Sequence, residues 1–316
     1  MKNAKHTVGV ILMTYGSATT ADNVQEYFET IYGGKASRDL IHDFENRYRI
    51  VGGSPLIQIT HEQARLLESK LNGGDGTGKG DARTGWHYVV RAGMRHSAPK
   101  IAKAVAECRA LGAERLIGIV LSPQFSSVIM EGYRTAFLKA ASENGFDEGE
   151  AVIAGPWPTE SHFIELLARR TKEALAQLQK KHGYKVPVIF TTHSLPQKVV
   201  EKDPAYMNQL METIDAAQLR LGDSVGEWYA GYQSAGHTPE AWLKPDLTDI
   251  LDQIKEKAVL IVPIQFLADH LEILYDLDVA ARQQCTERGI EYNRIEVPNI
   301  DPLFIDALTA VAQAAM

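Results

Sequence analysis

Four polar clusters begin where an apolar run ends, and they hold most of the side chains able to do chemistry. Tyr15-Gly16-Ser17 follows VGVILMT, and residues 122–127 (SPQFSS) follow LIGIV. His193-Ser194-Leu195-Pro196 follows VPVIFTT, and Asp269-His270-Leu271-Glu272 follows VLIVPIQF. His193 closes a strand-like run ahead of a Ser-Leu-Pro turn that sets the exit direction of the chain. An imidazole there can take a proton near neutral pH or ligate a transition metal. It can equally be a strand-end histidine held by backbone hydrogen bonds. Glu272 is bracketed by Leu271, Ile273 and Leu274, and its spacing from Asp276 puts the two on one helical face. A carboxylate in such apolar surroundings is expected to have a raised pKa and to exchange protons, or to pair with a cation. The competing reading is a solvated acidic turn opposing the helix dipole. The phenol oxygen of Tyr15 is a possible iron ligand, although most such tyrosines are packing groups.

These clusters need elements to position them. Apolar runs at 7–14, 86–92, 115–122, 151–154, 186–192, 227–232, 259–266 and 291–296 read as strands. Several are rich in Val and Ile without alternation, as in parallel strands buried on both faces. Amphipathic stretches read as helices at 21–31, 38–50, 60–71, 98–111, 126–144, 160–182, 203–221, 246–257, 268–288 and 301–316. The alternation predicts an α/β fold with right-handed crossovers and helices on both sheet faces. At 316 residues the chain suits two domains. Pro and Gly cluster near 155–159, so the division expected is 1–156 and 157–300, with the helix at 301–316 packing back on the first. Ligands of open parallel sheets bind outside the carboxyl ends of the strands, so the four clusters are expected to line one cleft between two domains.

Composition and absent motifs exclude other classes. With 33 basic and 40 acidic residues the formal charge is -7, and no Lys/Arg block suggests nucleic-acid binding. No apolar run reaches the length of a membrane span, and the polar residues 1–6 show no leader pattern. A cytoplasmic protein is the expectation. The two cysteines, Cys108 and Cys285, are read as idle thiols in a reducing compartment. They are too few for an all-cysteine iron–sulfur cluster. The sequence contains no GxSxG, HExxH or CxxC, and no GxGxxG follows the first strand, which disfavours hydrolase, zinc-protease and dehydrogenase readings. The glycine-rich stretch 73–85 lacks phosphate-loop spacing and reads as a surface connection.

Taken together, the clusters resemble the ferrochelatases, which insert ferrous iron into a porphyrin. The matching residues span nearly the whole chain. They are Tyr15-Gly16, Arg47-Tyr48 with Gly52-Gly53-Ser54-Pro55-Leu56, Gly93-Met94-Arg95-His96, and Pro123-Gln124-Phe125-Ser126 with Tyr133. They continue with His193-Ser194-Leu195-Pro196, Gln233-Ser234 leading to Trp242-Leu243-Lys244-Pro245, and Phe266-Leu267-Ala268-Asp269-His270-Leu271-Glu272. The HSLP and FLADHLE segments, in that order, carry most of the signal. The compact length resembles the soluble, monomeric, coproporphyrin-using branch of Gram-positive bacteria.

The resemblance implies two Rossmann-like domains with a cleft between them. It implies that His193 and Glu272 are the catalytic pair, that they bind or guide Fe²⁺, and that they face each other across the porphyrin. It implies Tyr15 as the axial ligand of the product iron, and Tyr32, Arg47, Tyr48, Ser54 and Tyr133 as contacts to the macrocycle or its propionates. Coproporphyrin III and Fe²⁺ are the expected substrates, with no tightly bound cofactor. A monomer in transient contact with neighbouring haem-pathway enzymes is the expected state. The alternatives are a protoporphyrin IX ferrochelatase, a chelatase for another tetrapyrrole or metal, and a non-catalytic porphyrin or haem carrier. Two departures stand out. Basic residues usual in the branch are replaced by Tyr32-Gly33-Gly34-Lys35, which shifts propionate anchoring toward Lys35 and Arg47. Some relatives also hold an outer metal on a carboxylate ladder running from the Glu272 helix. Here Asp276 and Asp278 remain but Ala280 follows, so no Mg²⁺ site is expected.

Overall fold

The computed structural model describes residues 6–73, 85–236 and 239–316. The glycine-rich connection read at 73–85 falls almost wholly outside them, as do residues 1–5. The chain divides into two compact units, one of residues 1–121, 127–157 and 299–316, the other of residues 122–126 and 158–298.

The first unit runs β1 (His6–Thr14), α1 (Val24–Tyr32), α2 (Arg38–Val51), α3 (Leu56–Leu71), β2 (Trp86–Met94), α4 (Ile101–Ala110), β3 (Arg115–Val120), α5 (Ser127–Glu143) and β4 (Ala151–Ile153). The second runs α6 (Ser161–His182), β5 (Val188–His193), α7 (Gln197–Lys202), α8 (Ala205–Leu221), β6 (Trp228–Gln233), α9 (Leu247–Leu251), β7 (Ala258–Pro263), α10 (Leu271–Leu274), a π-helical turn at Asp276–Ala281, α11 (Arg282–Glu287) and β8 (Glu291–Arg294). The terminal helix α12 (Pro302–Ala314) belongs to the first unit. It opens on Asp301, whose side chain accepts from the Leu303 N–H, with Pro302 in the first turn, where its missing N–H costs nothing.

Each unit is built on four parallel strands in the same order: β2-β1-β3-β4 in one and β6-β5-β7-β8 in the other. The apolar runs are buried as unalternating runs should be. Every residue of β7 is buried, as are Val8 through Thr14 of β1. Each such Val, Ile or Leu contributes about 1.5–3 kcal/mol. In both units the chain crosses from the second strand of the unit, over the first, to the third. That reversal places the switch point between β1 and β3 and between β5 and β7, where ligands of such sheets bind.

Two helix expectations need correction, and one helix was not expected. The helix at 268–288 is broken into α10, the π turn and α11. β7 stops at Pro263, which has no N–H for a ladder, and residues 264–270 carry the chain away before helix can start. Beyond α10, Val279 and Ala280 both donate to the Tyr275 carbonyl, at 3.1 and 2.8 Å, so one extra residue is inserted. The helix at 246–257 lasts only through Leu251. The Ser-Leu-Pro turn leads directly into the unanticipated α7, with Pro196 as its N-cap.

Candidate active site

In the second unit the site is assembled at the carboxyl ends of β5, β6 and β7. His193 ends β5 in register with Gln233, the last residue of β6. The His193 N–H donates to the Gln265 side-chain oxygen at 3.0 Å, and the Gln265 amide donates to the Tyr206 hydroxyl at 3.0 Å. The strand end is thereby tied to the segment leaving β7 and to α8. His193 Nδ1 donates to the Ser194 carbonyl. That fixes the proton on Nδ1, because a carbonyl only accepts, and it turns Nε2 toward Glu272.

Glu272 lies between two imidazoles. Its Oε2 is 3.6 Å from His193 Nε2 and 3.6 Å from His270 Nε2. His270 Nδ1 donates to the Ala268 carbonyl at 2.8 Å, and the ring lies against Phe266 with centroids 5.4 Å apart. The Gln233 amide donates to the Glu272 carbonyl at 3.2 Å, and the Ser234 hydroxyl donates to Asp276 at 2.5 Å. Ser234 achieves this from a left-handed backbone, φ +57°.

The electrostatics reverse one expectation. Burial by itself raises the Glu272 carboxyl, as its apolar neighbours suggested. The positive charge of His193 and the hydrogen bond and charge of His270 outweigh burial and hold it down at about 2. For His270, burial works against the charged ring, but the hydrogen bond and charge of Glu272 raise its pKa. Glu272 is therefore a carboxylate at neutral pH rather than a proton donor. The placement of the pair also needs correction. An atom on each face of a flat ring requires about 3.5 Å of contact on either side, about 7 Å in all. His193 Nε2 and Glu272 Oε2 are 3.6 Å apart, so a flat macrocycle does not fit between them.

The remaining residues of the π turn are committed. Asp278 receives the Arg294 guanidinium and the Tyr292 hydroxyl. Among the described residues no group of three or more His, Cys, Asp or Glu side chains is arranged to hold a metal ion.

The first unit carries the other candidates on the loop leaving β1 and on its supports. Tyr15 is about two-fifths exposed, with its ring 4.4 Å from that of His96. Gly16 follows at φ +94°, and a Cβ there would lie 2.3 Å from the Ser97 hydroxyl, so only glycine fits. The loop is pinned by the Tyr27 hydroxyl on the Gly16 carbonyl (3.0 Å), by Tyr48 to Ser17 (2.8 Å) and by the Ser54 N–H on the Thr19 carbonyl (3.0 Å). Tyr48 and Ser54 are buried, and these contacts make them supports of the Tyr15 loop. Tyr133 is also buried. The Arg95 guanidinium lies 5.9 Å from the Tyr15 ring centre and 5.8 Å from that of Tyr133, over Gly132, where a Cβ would come within 2.1 Å of it. Tyr32 and Arg47 are set around Phe28 and Phe44. Tyr32 packs edge-on against Phe28, and Arg47 stacks 4.9 Å over Phe44 while pairing with Asp43 at 2.7 Å. Among the residues just described, Arg95, His96 and His270 were not singled out from sequence as site residues. A signal existed, since Arg95-His96 directly follow a strand and His270 lies two residues from Glu272.

A ferrochelatase family model matches residues 7–316. The chain belongs to the ferrochelatase family. Among the ferrochelatases it is similar to, the coproporphyrin III ferrochelatase of Geobacillus sp. is 34% identical over 315 residues, covering 98% of this chain and 97% of that protein. That of Anoxybacillus flavithermus is 35% identical over 314 residues, covering 98% and 96%. That of Halalkalibacterium halodurans is 34% identical over 315 residues, covering 98% and 97%. Two solved chelatase structures share the fold at low identity. They are CbiX, the terminal enzyme of siroheme biosynthesis in denitrifying bacteria (TM-score 0.55, 11% identical, covering 98% of this chain and all of that one), and Bacillus subtilis SirB with Fe³⁺ (TM-score 0.56, 10% identical, covering 98% and 95%). The chain is thus a ferrochelatase-family lyase with two α/β units. Among the described residues no helix is long and apolar enough to cross a membrane.

Proposed function

We propose that this ferrochelatase inserts Fe²⁺ into coproporphyrin III, with His193 and Glu272 as the catalytic pair. The observation that carries the chemistry is the single Glu272 carboxylate flanked by two imidazole Nε2 atoms at the carboxyl ends of β5 and β7. The substrate follows from relatives about one-third identical along almost their whole length, each a coproporphyrin III ferrochelatase.

Insertion has three demands. Two pyrrole protons leave, the ion sheds water, and a flat ring bends so that its nitrogen lone pairs meet the ion. Binding that favours the bent ring lowers the barrier. A carboxylate and neutral imidazoles suit Fe²⁺ without the grip of thiolates on softer metals, so release into the ring stays open. Metal arrival favours neutral imidazoles because ligands bind deprotonated. Iron entering at Glu272 favours neutral neighbours, and a neutral imidazole is a base for the protons leaving the pyrroles. His193 is the pyrrole base in this reading and Glu272 the iron-guiding carboxylate. Tyr15 is the axial ligand of the product iron. Arg95 and Arg47 offer guanidinium groups to propionates, Tyr32 offers ring surface, the buried Tyr133 backs Arg95, and Tyr48 and Ser54 hold the Tyr15 loop in place. Fe²⁺ is a substrate here, and no resident cofactor takes part.

The test is an oxygen-free assay of the purified protein with Fe²⁺ and either coproporphyrin III or protoporphyrin IX, following the porphyrin absorption bands. Faster metalation of coproporphyrin III is expected. Preference for protoporphyrin IX overturns the substrate, and binding without metalation of either overturns the enzyme reading.

A further inference from the structure

Arg294 is nearly buried, its side chain 12% exposed, and it reaches both ends of the segment that carries Glu272. Its Nε donates to Asp278 Oδ1 at 2.9 Å and its Nη2 to Asp278 Oδ2 at 2.5 Å, a two-pronged guanidinium–carboxylate pair. The same Nη2 lies 3.9 Å from Asp269 Oδ1. Nη1 donates to the Ile295 carbonyl at 3.0 Å, which fixes the fork to its own strand end. Tyr292, two residues earlier and so on the same face of β8, donates its hydroxyl to Asp278 Oδ1 at 3.0 Å. Arg282 stacks on the far side of the Tyr292 ring at 4.4 Å and donates to the Asp278 carbonyl at 2.9 Å.

Asp269 precedes His270 and Glu272, while Asp278 lies in the π turn beyond them. Between these two points the backbone is a single turn of α-helix, in which Ile273 and Leu274 donate to the His270 carbonyl and Tyr275 to that of Leu271, followed at once by the π insertion. We infer that Arg294 is a positioning residue of the insertion reaction: by holding Asp269 and Asp278 together it fixes the arc on which Glu272 meets His193 and His270. The inference rests on the reading of Glu272 as the iron-guiding carboxylate. Arg294 acts through that arc and touches neither proposed substrate.

Fixing the arc matters because a shift of about 1 Å in a reacting group can cost about a hundredfold in rate, and partners one step behind a metal-handling group are typically worth about 10- to 100-fold. Lys in place of Arg keeps the charge but loses the fork. Removing the guanidinium alone leaves half-buried carboxylates uncompensated and endangers the fold, whereas Asp278→Asn with Arg294→Gln removes the charge pair together.

The experiment measures kcat for iron insertion, porphyrin Kd by fluorescence titration and Tm for the full chain, for Arg294→Lys and for the Asp278→Asn/Arg294→Gln double variant. Glu272→Gln runs beside them. The expected result is a kcat lowered about 10- to 100-fold in the double variant, with a smaller loss in Arg294→Lys, and porphyrin Kd within about twofold of wild type in both. Wild-type kcat in a folded double variant overturns the inference. So does a loss of porphyrin affinity in parallel with kcat, which is the mark of general structural damage. Full activity in Glu272→Gln overturns the underlying reading instead, and is distinguishable because Arg294 is intact in it.

Discussion

Glu272 sits with its carboxylate 3.6 Å from an imidazole Nε2 on either side, those of His193 and His270. Of the two readings its apolar neighbours left open, a raised carboxyl exchanging protons or one paired with a cation, the second holds: two imidazoles keep it ionised. The consequence for pH has two signs. A carboxyl lowered from 4.5 to about 2 contributes stability that is present above 4.5 and lost as the pH falls through 2. His270, raised from 6.5, contributes stability that is present below 6.5 and lost as the pH rises through its folded value. Wild-type Tm should therefore drop more steeply than that of Glu272→Gln between pH 4.5 and 2, and a matched slope would contradict the pairing. Arg95 allows a second test at this scale. A Cβ at Gly132 would displace the guanidinium, so Gly132→Ala and Arg95→Leu should each weaken coproporphyrin binding, and the double variant should be little worse than either. Additive losses would show that the two act separately.

At the scale of elements, all eight strands were legible, and most plainly β1, β3, β5 and β7, because these buried parallel strands leave continuous apolar runs with polar residues at their ends. The polar clusters that end β1, β5 and β7 carry Tyr15, His193 and Glu272 for the same reason. The arc after β7 was not legible. A periodic stretch from 268 to 288 looks like one helix, and nothing in its composition reports the Pro263 stop, the seven-residue lead-in or the inserted residue. The direct approach of His193 to Glu272 was not legible from spacing, because the folded chain brings His193 across some eighty residues of sequence. The β1 loop offers the sharpest element-level prediction. Gly16→Ala forces a Cβ onto the Ser97 hydroxyl from a left-handed backbone, a strain of about 1–3 kcal/mol. Lowered Tm together with weakened porphyrin binding is expected. Unchanged binding would mean that the Tyr15 loop plays no part in holding the ring.

At the scale of the whole molecule, each of the two units carries one buried free cysteine, Cys108 in the first and Cys285 in the second. Burial pushes their thiols up, to about 12 and about 11, so both are inert while folded. Single-cysteine variants titrated with denaturant and a thiol reagent would then report the opening of each unit separately. Labelling at pH 8 without denaturant should be negligible over the time in which an unfolded control reacts fully. Rapid labelling of the native protein would contradict the buried placement. The same strand order recurs in both units, yet the two differ in what they bring. One carries the exposed Tyr15 with the half-buried Arg95 and His96 beside it, and the other carries the carboxylate between its two histidines.

That division makes a separable prediction, and one rate tests it most directly. The oxygen-free rate of iron insertion into coproporphyrin III should be measured for His193→Ala at saturating porphyrin, with bound porphyrin quantified in the same sample. The account predicts a rate at least about a hundredfold below wild type, the scale of a lost general base, with porphyrin still bound. Turnover near the wild-type rate would remove His193, and with it the carboxylate–imidazole cluster, from the chemistry of insertion.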